Sequence, residues 1–326
     1  MRTPRPNALL RKMPGAGREY LGMLLVLALL VAVFGILARH FFSPLTFRMT
    51  VNQIPGKIIL AVGMTYVLII AGIDLSVGSV LALSGGTVGM LIEGFGVPVP
   101  LAVTAGLGVG LVCGLINGAI SVAWRLPSFI VTLGMLEIAR GATYLVTSRE
   151  TKYIRGSGIE AIADTQLLGI SLPFLVAIAI AVAAQVVLSR TVFGRYMIAI
   201  GTNEEAVRLS GINPRPIKLT VFTVCGLLAS VAAVMDVSRT GSADPNAGTG
   251  FELQAIAAVV IGGTSLMGGR GSVIRSLFGV LIIAVLGAGL SQIGATEAIK
   301  RIITGCVIVA AVILDYYRQR LRRAPQ

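Results

Sequence analysis

Few side chains in this 326-residue chain are equipped for chemistry, and none of them form a catalytic set. The ionisable groups that the sequence places inside the membrane are few: Asp74, Glu137 with Arg140, Asp236, Glu252, and Glu297 with Lys300. Glu137 and Arg140 stand i, i+3 apart, the spacing at which opposite charges neutralise one another on one helix face. Asp74 has no such neighbour. It is either an N-cap, which an Asp ahead of Leu-Ser-Val-Gly-Ser favours, or a group on a pathway through a membrane. A proton-coupled carrier would need a series of buried acids, and none is present. The single histidine, His40, adjoins Phe41 and Phe42 and reads as an interfacial side chain. Gly56-Lys57 lacks the earlier glycine of a phosphate loop and has Ile58 where Ser or Thr belongs, so the chain cannot itself hydrolyse ATP. Cys113, Cys225 and Cys306 all lie in apolar runs and imply neither a disulfide frame nor a metal cluster. What remains is neutral: Ser76, Ser79, Asn117, Thr132, Gln254, Thr264 and Ser265, which with Asp74 are the candidate translocation path. Hydroxyls and amides exchange hydrogen bonds readily with an uncharged polyhydroxylated solute and hold it weakly enough to release it. The same residues also serve as glue between membrane helices.

The elements that must position these groups are apolar. Hydrophobic residues make up 55% of the chain and charged residues 13%, with a mean hydropathy of +0.89; a soluble domain carries about 25% charge, so this is an integral membrane protein. Apolar runs near 20–39, 57–73, 76–94, 100–124, 128–147, 169–189, 217–237, 253–266, 272–291 and 298–316 predict ten spans, and glycine-interrupted segments leave room for eight or nine. The formal charge of +13 suggests nucleic acid until position is considered: 17 of the 27 Lys and Arg fall on or next to one face. This is the positive-inside pattern, and it removes the need for a nucleic-acid partner. The basic stretch 1–19 and the basic tail 317–326 both belong in the cytoplasm, which requires an even number of spans. The run 21–38 ends in Arg39 and His40 with no small-residue cleavage site, so it reads as an uncleaved first span. The segment 148–168 becomes the largest outer loop, and the whole chain, 1–326, is one membrane domain.

Between two apolar runs lies a polar island, residues 191–218. Its centre reads as a short, fully capped helix: Asn203 as N-cap, Glu204 and Glu205 on the first turn where the helix dipole favours them, and Gly211 in the left-handed position after the last turn. Ile212 would then fold back towards Val207, and Pro214 and Pro216 forbid continuation. At about 1.5 Å per residue the helix is roughly 10 Å long, too short to span, yet Arg190, Arg195, Arg208, Arg215 and Lys218 mark it cytoplasmic. A self-capped helix on the inner face is a docking surface for a soluble partner. A short internal repeat, G-x-[DS]-L-x-x-G, joins Gly72–Gly78 to Gly263–Gly269. Broken hydrophobic segments in corresponding halves point to a transport pathway, because interrupted helices expose backbone groups in mid-membrane.

GIDLSVGS (72–79), GLINGAI (114–120), LPSFIVTLGM (126–135), IGTNEEAVRLSGI (200–212) and FELQAIAAVVIGGTSLMGGRGS (251–272) together resemble the membrane permease of carbohydrate-uptake ABC importers. The branch is that of ribose, xylose and arabinose, and the resemblance runs from about residue 50 to 315 with the motifs in family order. It implies a non-enzymatic permease paired with a second, identical or different, permease subunit. It also implies ATP-binding subunits inside, which hold the ATP and Mg, and a periplasmic sugar-binding protein outside. The island falls where the family has its coupling helix, which assigns contact with the ATPase to Asn203, Glu204, Glu205, Ala206, Arg208, Ser210 and Gly211. Permeases for branched-chain amino acids belong to the same superfamily; the intact GIDLSVGS favours the sugar branch. Two other classes remain: a secondary carrier, which would predict paired buried acids or a sodium site, and a channel-like or scaffold protein, for which no cytoplasmic docking helix is expected.

Overall fold

The computed structural model of the chain describes residues 15–167 and 170–323. Helices α1 (Gly15–Leu37), α2 (Pro44–Ile69), α3 (Val77–Glu93), α4 (Val99–Ala123) and α5 (Ser128–Thr147) come first. A connecting segment holds β1 (Lys152–Tyr153), α6 (Glu160–Asp164), β2 (Gln166–Leu167) and β3 (Ile170–Ser171). Then follow α7 (Leu172–Arg190), α8 (Val192–Leu209), α9 (Arg215–Thr240), β4 (Ser242–Ala243), α10 (Phe251–Ile261), α11 (Val273–Gln292) and α12 (Glu297–Arg323).

Each of the ten apolar runs coincides with one helix, and seven of these among the described residues, α1, α2, α4, α5, α7, α9 and α11, are long and apolar enough to cross a membrane. Among the boundaries that differ from the sequence reading, two bear on the site. α10 stops at Ile261 instead of continuing to 266. At about 1.5 Å per residue it is roughly 16 Å long, half the thickness of a bilayer core. α2 begins at Pro44, well before residue 57, with the Ser43 hydroxyl accepting from the Thr46 amide at 3.1 Å. Its first half carries Arg48, Asn52 and Gln53, which lower the local hydropathy without breaking the helix. Arg2, Arg5, Arg11 and Lys12 lie outside the described residues, as do the side chains of Arg18, Arg318, Arg320, Arg322 and Arg323.

α2 is the central post. From Ile58 to Ile70 every residue is buried, because apolar side chains occur on all faces and α7, α9, α10 and α11 surround it. α4 meets α9 through a row of glycines at four-residue spacing, Gly110, Gly114 and Gly118, while Gly106, one turn earlier, packs against Ser84 and Val88 of α3. A Cβ at Gly110 or Gly114 would run into the backbone of Gly226 or Phe222. Without side chains the two backbones approach closely, which is how helices associate where lipid offers no hydrophobic drive. The segment 148–167 is not a free loop: β1 pairs antiparallel with β4, Lys152 opposite Ala243, and Ile154 and Ile159 bury against Val88, Ala102 and Val237. Glu137 and Arg140 do not pair. Arg140 Nη1 donates to the carbonyls of Pro245 at 2.7 Å and Ala247 at 3.1 Å, while Glu137 stays exposed. The turn after β4 leaves carbonyls without helical partners, and the guanidinium, all donor, satisfies two of them.

Candidate functional site

Three features lie along the axis of the molecule: an exposed capped helix at one end, a closed polar cluster beside it, and a large cavity at the other end. The first is the second half of α8. The Thr191 hydroxyl caps the first half by accepting from the Gly194 amide at 3.2 Å. Helical geometry is then interrupted at Asn203, whose φ of −162° and ψ of 96° turn the chain. The Asn203 carboxamide oxygen accepts from the Ala206 amide at 2.9 Å, so it caps a second helix over 204–209. Gly211, at φ +82°, donates to the Arg208 carbonyl at 3.0 Å, and Ile212 donates to Val207 at 3.3 Å. Those two bonds are the Schellman pattern. Glu205 pairs with Arg208 at 2.6 Å and Glu204 with Lys218 of α9 at 2.9 Å. Only Val207 turns inward, while Asn203, Glu204, Glu205, Ala206, Arg208, Ser210 and Gly211 are all exposed. The sequence reading missed two things here. Residues 192–202 form a helix of their own, signalled by Met197 and Ile200 on its buried face. Leu209 is 78% exposed at the tip of the capped helix, the kind of apolar anchor that a partner covers. A groove of about 660 Å³ separates this helix from the turn between α4 and α5 at Arg125.

Immediately before the kink, the α8 backbone packs closely against both broken segments, which are bonded to each other. The Gly269 amide donates to the Ile69 carbonyl at the end of α2, at 2.9 Å. Gly201 fits between them: a Cβ there would be driven into the Ile69 carbonyl and lie 2.5 Å from the Gly269 nitrogen. A Cβ on Gly268 would meet Ala71 and the Gly201 carbonyl, and one on Gly269 would meet Thr202.

The polar cluster surrounds the break between α2 and α3. Asp74, 1% exposed, accepts from both the Ser76 amide at 2.9 Å and the Ser76 hydroxyl at 2.6 Å. Ser76, not Asp74, holds the N-cap position of α3, and its side chain makes no capping bond. Asp74 therefore braces the turn ahead of the helix through an i to i+2 bond, which corrects the expectation that it caps α3 itself. The Asn117 amide donates to the Ser76 hydroxyl at 2.9 Å. Thr132 accepts from the Leu75 amide at 3.1 Å and donates to the Ile73 carbonyl at 3.2 Å, while Ser128 accepts from the Ile73 amide. Side chains of α5 thus satisfy the irregular backbone, the condition under which a membrane helix tolerates a break. Ser79 is buried nearby at the start of α3. The second break repeats the arrangement: Ser265 accepts from the Met267 amide at 3.2 Å, and Thr264 is fully buried. The Asn117 carboxamide oxygen and the Thr264 hydroxyl have no hydrogen-bond partner among the described residues.

Seven of the eight candidate path residues are thus packed into closed surroundings. The eighth, Gln254, faces open space. It borders a cavity of about 780 Å³ lined by the first half of α2, the last turns of α9, the start of α10, the end of α11 and the start of α12. Asp236 is 21 residues along α9 from Arg215, which places the cavity about 30 Å from the capped helix. Its wall includes Asn52, Gln53, Lys57, Asp236, Arg239, Glu297 and Lys300, none of which the sequence reading assigned to the path. The signal was present as polar residues three and four apart along α2. The wall is charged rather than neutral, with most of the charge paired: Asp236 with Arg239 at 2.7 Å, and Glu297 with Lys300 at 2.8 Å.

Residues 47–312 match the family described as the permease component of the branched-chain amino acid transport system. The chain is 41% identical over 303 residues to the ribose import permease protein of Escherichia coli (strain K12), covering 91% of this chain and 93% of that one. It is 37% identical over 309 residues to the fructose import permease protein of Rhizobium meliloti, covering 91% and 85%. With the L-arabinose ABC transporter permease protein of Azospirillum brasilense it shares 34% over 303 residues, covering 93% and 89%. No solved structure matches.

Proposed function

Because the chain belongs to that permease family, from which the premise of a multi-pass transport protein follows, we propose that it is the membrane subunit of an ATP-driven importer for a monosaccharide or related polyol. The observation that carries the reading is the helix over 204–209, closed at both ends by its own residues and offering Leu209 and the Glu205–Arg208 pair to a partner. Such a helix transmits motion only if something holds it. Asn203, Glu204, Glu205, Ala206, Arg208, Ser210 and Gly211 present the surface that an ATP-binding subunit takes up, and ATP and Mg stay on that subunit. A second permease copy or a related subunit completes the membrane part, and a periplasmic binding protein delivers the solute to the opposite face.

The sugar class is favoured by the relatives, whose names print ribose, fructose and L-arabinose at 34–41% identity, against the amino-acid wording of the family description. The positive-inside rule puts the capped helix and both termini in the cytoplasm of a bacterium, and the cavity then opens outward. Asp74, Ser76, Ser79, Asn117, Thr132, Thr264 and Ser265 serve this function as the hydrogen-bonded hinge region of the path, and Gln254 as its lining. The test is uptake into vesicles containing the permease with its cognate ATP-binding subunit and sugar-binding protein. ATP-dependent accumulation of a sugar is expected, with Leu209→Glu losing both the ATP-binding subunit and transport. Accumulation of leucine with no sugar or polyol moved overturns the assignment.

A further inference from the structure

Two polar side chains on the cavity wall have no partner of their own. Lys57 of α2 makes no ion pair or hydrogen bond among the described residues, although Arg239 and Asp236 lie within electrostatic reach. The Gln254 side chain of α10 is equally unbonded. Both open onto the same narrow pocket in the cavity floor, together with Leu60 and Phe251. Beside them Asp236 accepts from Arg239 at Oδ1, leaving Oδ2 for another donor. An unpaired ammonium inside a membrane helix bundle is costly and is retained where it meets a solute.

The chemistry of the set is specific. An ammonium supplies three donors, a carboxamide both donors and an acceptor, and a carboxylate only acceptors. Each hydroxyl of a sugar donates once and accepts, so it needs this mixture, and an aromatic ring such as Phe251 offers an apolar face to the sugar's C–H side. The cavity's 780 Å³ falls within the roughly 300–1,000 Å³ of small-molecule sites. We infer that Lys57, Gln254 and Phe251, with the Asp236–Arg239 pair, form a binding site for a neutral monosaccharide inside the permease itself. The subunit thereby selects a second time among sugars released to it. This inference rests on the import function proposed above.

The test uses the complete complex in ATP-loaded vesicles and an equimolar mixture of radiolabelled ribose, fructose, L-arabinose, D-allose and galacturonate. Initial uptake of each sugar, ATP hydrolysis and co-elution of the ATP-binding subunit are read for Lys57→Met, Lys57→Arg, Gln254→Leu and the near-isosteric Gln254→Glu. Lys57→Met and Gln254→Leu should reduce uptake of the preferred sugar by about tenfold or more, as when a polar substrate group loses its partner. Gln254→Glu should change the ratio between sugars, and Lys57→Arg should restore part of the rate, with the ATP-binding subunit retained throughout. A change of ratio is a readout that damaged packing does not produce. Wild-type rates and ratios in both Lys57→Met and Gln254→Leu overturn the site, and so does preferential uptake of galacturonate. If the wild-type complex moves none of the sugars, the import reading itself fails and the site falls with it.

Discussion

Gly201→Ala tests whether the capped helix is mechanically tied to the broken helices. The substitution places a methyl group against the Ile69 carbonyl and 2.5 Å from the Gly269 amide, both backbone atoms that no rotamer change can move aside. The end of α2 and the first half of α8 must part by roughly 1 Å, and the 2.9 Å bond between Gly269 and Ile69 lengthens or breaks. Leaving buried backbone groups unpaired costs about 1–3 kcal/mol, and overpacking costs about as much again. A loss of about 2–6 kcal/mol follows, large against the marginal stability of most folded domains. Thermal unfolding of the purified subunit in detergent should shift down by several degrees. Sugar moved per ATP hydrolysed in vesicles should fall while the ATP-binding subunit still co-elutes, because the exposed surface over 204–211 is untouched. Gly108→Ala is the control, since a Cβ there meets nothing within 4 Å. Unchanged melting and coupling in Gly201→Ala, or equal damage from Gly108→Ala, would refute the clamp.

Gly211→Val forces a β-branched residue into a φ of +82°, costing about 1–2 kcal/mol locally; insertion should be normal, with transport or partner association lost in an uptake and co-elution assay. Ser76→Ala removes the hydroxyl that accepts from Asn117 and donates to Asp74, which should cost about 2–4 kcal/mol by thermal unfolding because the Asn117 amide is left with no partner. Adding Asn117→Leu should recover part of that loss, since removing both partners is far cheaper than removing one. In intact cells an impermeant thiol reagent should modify Ser157→Cys and spare Glu204→Cys; the reverse pattern would invert the topology.

Helix class and the number of apolar segments were legible because hydropathy dictates both. The capped helix was legible for a different reason: Asn203, Gly211 and the two prolines are local signals, and their geometry depends on almost nothing distant. The first half of α8 was not, because the charge of the island concealed the apolar face formed by Met197 and Ile200. Lys57 and Asp236 were noted but not assigned to the path, and Arg239 was not singled out, because their meaning is tertiary. Lys57 follows a glycine on α2 and suggests a failed phosphate motif in sequence, and only folding brings it to α9 and α10 around one cavity. Arg140 misled in the opposite sense. A favourable i, i+3 acid was available, yet two unpaired carbonyls in a turn more than 100 residues away won. The repeat held in geometry with one shift of register: both α2 and α10 end in a Schellman motif, but the left-handed residues are Ala71 and Gly263, whereas the sequence pattern aligned Gly72 with Gly263.

That shared ending gives α2 and α10 a joint role. Each is held near the kink of α8 at its C-terminal end, α2 by the Ile69 carbonyl and α10 through the loop that carries Gly268 and Gly269. Each also presents a cavity group nearer its N-terminal end, Lys57 about 18 Å from the clamp and Gln254 about 10 Å from the end of its helix, at about 1.5 Å per residue. Motion of the capped helix therefore bears on two levers whose far ends both line one cavity. Tilting them apart separates the ammonium from the amide and weakens the hold on a solute, with no change in the closed Asp74–Ser76–Asn117 cluster that keeps the hinge rigid. Spin labels at the exposed positions Gln53 and Leu253 report on those walls directly. Their separation should change when ATP is added to the assembled complex, and Gly201→Ala should abolish the change without preventing ATP binding. A separation that stays constant through the ATP cycle, in a complex that still transports, would show that the walls do not move as levers and that release is driven from elsewhere in the bundle.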